Sequence, residues 1–324
     1  MKILIVGAGE VGRHLAKMLS SENQDIVLMD DDENRIKDLE DNYDLLTKVG
    51  LPTSIKDLEE AGVAETDLFI AVTPEESVNM TACMLATNLG AHQTLARIDN
   101  PEYLQPKNKD FFEKLGVAHL IYPEMLAAQE IAESLRTSWL RQRTSFCNEA
   151  LTLLVIKVRE NSEIINKEFS TGYFSHKKYR IVAIKRNNRT IIPTGSDMVL
   201  AGDIVYFITT NEYLEFVREQ AGKSDFPIRN VMFMGGSRIA QKTIQILPSQ
   251  TNVKILERDR EKSFSLAEEL NNTLIINCDG RNVELLKEEG IHDMDAFVAV
   301  TANSEANILA CLAAKRLGVK KTIA

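Results

Sequence analysis

The amino-acid sequence predicts an α/β protein built from a doubly wound parallel sheet, a small α+β module, and a second, partial copy of the first sheet. Three observations lead there. Short apolar runs alternate with helix-period segments near both ends of the chain, the pattern of parallel strands covered by helices on both faces. Residues 67–96 match 295–324 at 13 of 30 positions with a constant offset of 228, where roughly two matches would arise by chance. Between the copies the texture changes to longer strand-like runs punctuated by asparagine and glycine turns.

In the first copy, residues 2–6 read as a short buried strand and 11–20 as a helix, apolar at Val11, Leu15, Met18 and Leu19. Residues 26–30 form a second strand and 33–42 a second helix. The run 68–72 is a buried strand, followed by a helix at 78–88 and a strand at 94–98. The same offset carries Gly7 onto Gly235, Thr73 onto Thr301, Asn79 onto Asn307 and Cys83 onto Cys311. These assignments give one domain over 1–146 and its partial repeat over 228–324.

The module between them spans 147–222, with strands expected at 151–158, 180–185, 190–193 and 203–208 and a closing helix at 211–219. Asn187 and Asn188 mark a hairpin turn, because asparagine tolerates the positive φ such turns need. A helix from Pro123 to about 140 joins the first copy to this module; Pro123 suits a first helical turn. Its apolar positions Met125, Leu126, Ile131 and Leu135 fit either a core face or a dimer seam.

Composition bounds the function. The 324 residues carry 44% hydrophobic and 26% charged residues with a net charge of −9, which excludes a wholly disordered chain and disfavours nucleic acid as a partner. No apolar run approaches a membrane span, and the apolar start is too short for a signal-peptide core. The four cysteines lie far apart, with no metal-ligand spacing. Free, buried thiols in the cytoplasm are expected, and no metal.

The chemistry lies in a glycine turn. Gly7-Ala8-Gly9-Glu10-Val11-Gly12 follows a strand and opens a helix, and Asp30 ends the next strand 18 residues after Gly12. This is the dinucleotide fingerprint of Rossmann-like folds. Gly7 permits the tight turn, Gly9 lets the backbone approach a pyrophosphate, and Gly12 lets helix and sheet approach closely. The helix N-terminus offers amides to the phosphates. Asp30 would bind the ribose hydroxyls and repel a ribose phosphate, favouring NAD(H) over NADP(H). Asp31, Asp32 and Glu33 read instead as an N-cap and an acidic first turn. Thr73 and Pro74 end the fourth strand and Arg97 the fifth, at the carboxyl edge where open parallel sheets bind ligands. Thr73 is either a ligand hydroxyl or a helix cap; Arg97 is either a phosphate cation or half of a surface ion pair.

The second turn reads Gly235-Gly236-Ser237-Arg238-Ile239-Ala240, and Glu257 takes the place of Asp30. Ser237 crowds the pyrophosphate approach and Arg238 inverts the charge of Glu10. Two readings stay open: a site for NAD(H) or a more anionic ligand such as ADP or ATP, and a vestigial turn.

No proton relay accompanies these turns. The five histidines are scattered, and Tyr103–Lys107 contains Pro106, which breaks the helix such a pair requires. Tyr173–Lys177 lies in the middle module. The basic stretch from His176 to Arg189 reads as a solvated strand face, with a contact surface for an acidic partner as the alternative. A non-catalytic protein is expected; the competing class is an NAD-dependent oxidoreductase with the middle module as its catalytic domain.

Taken together, the Gly7–Gly12 turn, Asp30, Leu58-Glu59-Glu60-Ala61-Gly62, Ala71-Val72-Thr73, Asn79, Ala96-Arg97, Gly195 and Leu200-Ala201-Gly202-Asp203 resemble the RCK (or KTN) family of domains that regulate potassium conductance. Within it, the unequal tandem copy is similar to TrkA-like chains, the regulatory subunits of bacterial Trk potassium uptake. The resemblance implies a nucleotide-binding homo-oligomer, dimer or tetramer, on the inner face of the cell membrane beneath a TrkH-like transporter subunit. It implies NAD(H) on Gly7–Val11, Asp30, Thr73-Pro74 and Arg97, and a second nucleotide on Gly235–Ile239, Glu257 and Asp279. The family often has Gly-Asp after the third strand; here Leu51 follows Gly50. The chain stops at Ala324, the counterpart of Ala96, so a longer natural form with a second joining helix and module is expected.

Overall fold

The computed structural model describes residues 1–324 apart from Asp38, Asp41 and Glu149. The chain divides into two compact units, Met1–Pro123 and Glu124–Ala324.

In the first unit, β1 (Lys2–Val6), β2 (Asp25–Asp30), β3 (Leu46–Val49), β4 (Leu68–Ala71), β5 (Gln93–Arg97) and β6 (His119–Ile121) form one parallel sheet in the order β3-β2-β1-β4-β5-β6. That is the doubly wound order, with its switch point between β1 and β4. The strands are apolar on both faces because helices cover both. On β1, Ile3 and Ile5 are buried with Leu28 and Ile70, while Leu4 and Val6 point the other way among Met29, Phe69 and Ala71. The connecting helices are α1 (Glu10–Ser20), α2 (Glu33–Ile36), α3 (Ile55–Glu60), α4 (Glu76–Leu89) and α5 (Pro106–Lys114).

The helix expected over 33–42 is helical only to Ile36; Leu39 and Leu45 instead turn into the core with Ile26 and Leu28, and Asp38 and Asp41 lie outside the described residues. Asp32 caps α2, accepting the Asn34 N–H at 3.0 Å.

The second unit opens with α6 (Pro123–Arg136), whose first residue closes the first. Ile131 and Leu135 are buried among Val231, Phe233 and Val298 of the repeat, which settles the core role of these two; Leu126 is 52% exposed. A five-stranded antiparallel sheet follows, β7 (Gln142–Phe146), β8 (Leu151–Lys157), β9 (Tyr179–Arg186), β10 (Arg189–Ile191) and β11 (Ile204–Thr209), in the order β10-β9-β11-β8-β7. Helix α7 (Leu214–Gln220) closes it. The module's sheet thus begins at Gln142 rather than after 146, because β7 pairs with β8 through a turn in which Cys147 and Asn148 have φ near +53°. That turn leaves Cys147 exposed, unlike the buried Cys83 and Cys311 and half-buried Cys278. Asn187 and Asn188 adopt φ of +47° and +64° between β9 and β10, as a two-residue hairpin requires.

The repeat comprises β12 (Asn230–Met234), β13 (Asn252–Glu257), β14 (Thr273–Asn277), β15 (Ala296–Ala299) and β16 (Lys321–Ile323), parallel in the order β14-β13-β12-β15-β16. Its helices are α8 (Arg238–Ile246), α9 (Arg260–Glu269), α10 (Val283–Glu288) and α11 (Ser304–Arg316). Strand for strand, it reproduces the first five of the opening sheet.

Candidate functional site

The glycine turn sits where β1 and β4 diverge. Gly7 has φ of +100°, open to glycine at little cost, and a Cβ there would stand 2.8 Å from the Thr73 nitrogen. A Cβ on Gly12 would meet the Gly7 carbonyl oxygen at 1.8 Å, so this glycine sets how closely α1 approaches the turn. Around Gly9 nothing lies within 4 Å of a Cβ position, and no side chain caps α1 there. The first amides of α1 therefore face a space a phosphate can enter, flanked by exposed Glu10 and Val11.

Asp30, 3% exposed, holds this turn against β2. Its Oδ2 accepts the Ala8 N–H at 2.5 Å, its Oδ1 accepts the Asp32 N–H at 3.0 Å, and Arg35 stands 3.6 Å from Oδ1. Across the switch point, Asn79 ties two loop ends together. Its Oδ1 accepts from the Thr73 N–H (2.8 Å) and hydroxyl (2.7 Å), and its Nδ2 donates to the carbonyls of Thr73 and Arg97, each at 3.0 Å. Thr73 and Arg97 are half-buried and Pro74 exposed on the same carboxyl edge. The Thr73 hydroxyl also lies 3.3 Å from the Glu75 N–H just before α4, so it serves the loop as well.

The second copy rebuilds this arrangement with altered parts. Gly235 has φ of +95°. Glu257 Oε2 accepts the Gly236 N–H at 2.9 Å and Oε1 the Asp259 N–H at 3.0 Å; the Thr301 hydroxyl donates to Asn307 Oδ1 at 2.6 Å. Burial pushes the Glu257 carboxyl up, but the amides of Asp259 and Gly236 and the Lys262 ammonium at 3.0 Å outweigh it and hold it below the usual range. Gly236, opposite Ala8, leaves room for Leu266, whose Cδ1 lies 2.2 Å from a Cβ position there. Ser237 caps α8 through the Ala240 N–H at 3.4 Å, competing for an amide that the first copy leaves open. Arg238 is the exposed first residue of α8, and Ile239 packs against the core.

A cavity of about 470 Å³ opens above this second turn. Of the residues expected there, Gly235, Ser237, Glu257 and Asp279 line it. Arg258, Lys262 and Arg281 line it too; sequence reasoning missed them because Arg258 follows β13, Lys262 lies in the first turn of α9 and Arg281 follows β14, residues that only the fold brings to one edge. Arg281 grips Asp279 through Nε and Nη2 at 2.9 and 2.5 Å, which holds the Asp279 carboxyl down to about 2. Asp279 occupies the place of Leu51, so the acid absent after β3 is present after β14. Asn79 and Asn307 were likewise outside the expected ligand set, although their recurrence at the repeat offset was the signal that marks them.

Such geometry defines a tandem Rossmann-like α/β protein with a glycine turn at each sheet's switch point, uncapped in the first copy and capped by Ser237 in the second. The chain belongs to the TrkA family: residues 3–123 and 231–324 match the TrkA-N domain, and 153–222 match the TrkA-C domain. It is 37% identical over 327 residues to the Trk system potassium uptake protein TrkA of Haemophilus influenzae, an alignment covering all of this chain and 71% of that protein. Among solved structures it resembles the GsuK RCK domain, with a TM-score of 0.68 at 14% identity over 99% of this chain and 73% of the other. The GsuK channel bound to NAD gives 0.67 at 14% identity, over 99% and 60%.

Proposed function

We propose that the chain is a nucleotide-sensing regulatory subunit of a potassium uptake system, binding NAD(H) at the first glycine turn and gating a membrane potassium transporter by conformational change. The observation that carries this reading is the Gly7–Gly12 turn: amides at the head of α1 that no side chain caps, held to β2 by the Asp30–Ala8 bond. In this reading the pyrophosphate lies over Gly9, Glu10 and Val11, Asp30 turns its remaining lone pairs to a ribose, and Thr73, Pro74 and Arg97 flank the nicotinamide side. The repeat takes a second nucleotide, NAD(H), ADP or ATP, among Gly235–Ile239, Glu257 and Asp279. Arg258 and Lys262 at the cavity favour a phosphate-rich one.

Binding without chemistry suffices for regulation. A ligand that favours one arrangement of the protein over another shifts the population toward it, and a coupling of about 1–3 kcal/mol changes opening several-fold or more. The relatives named for potassium uptake, and the NAD-bound channel among the structural neighbours, support the assignment. Among the described residues no helix is long and apolar enough to cross a membrane. Association with the membrane would therefore run through a TrkH-like partner, with the protein itself a dimer or tetramer on the inner face.

Calorimetric titration of NAD, NADH, ADP and ATP tests the reading. Gly9→Asp fits the open space at Gly9 yet puts a negative charge where the pyrophosphate belongs; it should abolish the dinucleotide event at the first turn and leave any at the second. Absence of binding by all four nucleotides to the unmodified chain would reject the assignment.

A further inference from the structure

Four segments of the second unit, Glu124–Ala324, converge where the middle module meets the repeat. Lys321 of β16 reaches the stretch that follows α6, its Nζ donating to the carbonyls of Leu140 at 3.0 Å and Ser138 at 3.5 Å. Arg141 comes next, and its N–H, donating to the Val155 carbonyl at 3.0 Å, fixes it beside β8. Lys157 ends β8 and Arg159 lies just past it. The loop they enter holds the turn after α7, because Asn161 Nδ2 donates to the Gly222 carbonyl at 3.2 Å. Lys223 follows that glycine. Its N–H donates to the Arg218 carbonyl and its carbonyl accepts from Arg218 Nη1, each at 3.0 Å.

Arg141, Lys157, Arg159, Lys223 and Lys321 are thus gathered in a chain whose net charge is −9. Among the described residues none of the five forms an ion pair. The four charges that act most strongly on Lys223 are the other four cations. Burial and this repulsion pull Lys223 down to about 8, and burial with Arg141 beside it pulls Lys321 down to about 8. Like charges repel more strongly where protein displaces the screening solvent, and a counter-charge relieves that repulsion. The acids on neighbouring segments do not supply one. Asp225 takes the Ser138 hydroxyl at 3.0 Å. Arg218, which feels both Asp225 and Glu219, is paired with Glu215. Glu160, beside Arg159, is exposed and pairs with none of the five.

We propose that this joint binds a small, multiply charged phosphate anion of the pyrophosphate class. Its oxygens lie between Lys223 and Lys321, and Arg141, Lys157 and Arg159 meet the remaining charge. Guanidinium forks and ammonium groups both suit phosphate oxygens. Lys223 and Lys321 are half-buried, which favours a compact free anion over a lipid headgroup held at a flat bilayer surface. The bound anion ties the end of the middle module to β16, an edge strand of the repeat. The site uses no residue of either glycine turn and stands whether or not those bind nucleotides.

The test uses the whole chain labelled with carbon-13 at the lysine ε carbons, with NAD and ADP present in excess, in about 0.15 M chloride. Lys223→Arg and Lys321→Arg each delete one signal and so assign the two. Both groups should titrate near pH 8 in the free chain. Saturation with inorganic pyrophosphate should move both titrations up by about one on the pH scale or more, a tenfold preference for the charged form. Lys157→Gln with Arg159→Gln changes two exposed side chains and should weaken pyrophosphate at least about tenfold by calorimetry. Cardiolipin vesicles, which carry the same phosphate chemistry on a surface, should leave both signals in place. No binding, binding that leaves the two signals unmoved, movement with vesicles alone, or full affinity in the double variant would each overturn the proposal. NAD titration of the same samples reports separately on the first glycine turn.

Discussion

Gly12 and Gly7 sit so close that a single added carbon on Gly12 would lie 1.8 Å from the Gly7 carbonyl oxygen, with Val72 Cγ2 at 3.3 Å on its other side. The repeat carries Ala240 at the same place, fully buried at the start of α8. The two copies therefore differ in how tightly helix and turn approach. Gly12→Ala must push α1 away from the sheet, and overpacking of this kind costs about 1–3 kcal/mol. Denaturant unfolding should show that loss, and Gly12→Ala should also weaken NAD by displacing the amides. An unfolding midpoint equal to that of the unmodified chain would refute the constraint.

Asn79 is 1% exposed and serves the backbone of Thr73 and Arg97 at once. Asn79→Ala strands those polar groups, at about 1–3 kcal/mol each where they are buried. It should cost more stability than Asn307→Ala, whose hydrogen bonds run to Thr301. Comparing the two variants by thermal unfolding gives the order directly.

Glu257 predicts an acid limb. Its carboxyl is held below its ordinary value of 4.5 in the fold, so its contribution is complete above that value and is lost as pH falls through the depressed one. Asp279 follows the same sign in a lower window, between its ordinary 3.8 and about 2. Glu257→Gln removes that contribution, so it should lower stability near neutrality and flatten the further loss below about pH 4.5. Unfolding midpoints measured from pH 7 to pH 3 test this; an unchanged acid limb would contradict it.

Arg186 makes a two-point grip on Asp203, with Nε to Oδ1 at 2.9 Å and Nη2 to Oδ2 at 2.7 Å. Asp203 is 3% exposed and also accepts the Leu200 N–H at 2.8 Å. Arg186→Met leaves that carboxylate buried without its cation, at a cost of about 3 kcal/mol. Unfolding should be easier for the middle module, and Arg186→Lys should recover only part of the loss, because an ammonium offers no planar fork.

Much of the fold was legible because its demands on local chemistry are stringent. A turn that needs φ of +100° beside a second backbone admits little besides Gly7, and a two-residue hairpin called for residues like Asn187 and Asn188. The edge strands β3 and β6 were harder to see: Leu46-Thr47-Lys48-Val49 is short and half-polar, and an edge strand lacks the two buried faces that write an apolar run. The basic stretch from His176 read as a solvated face, yet Tyr179 is buried and His176 half-buried, because Phe216 of helix α7 packs against both rings. The cations of the repeat's cavity and the double tether through Asn79 depend on residues distant in sequence meeting at a sheet's edge, which spacing along one chain does not encode.

Helix α6 also has a bearing on where the polypeptide can be severed. Ile131 and Leu135 plug the repeat's interior beside Val231 and Phe233, although nearly a hundred residues separate them along the backbone. A protease nick near residue 123 would leave the larger fragment with its own plug. Cleavage at the Cys147 hairpin would release that plug with the amino-terminal fragment and leave an oily socket behind.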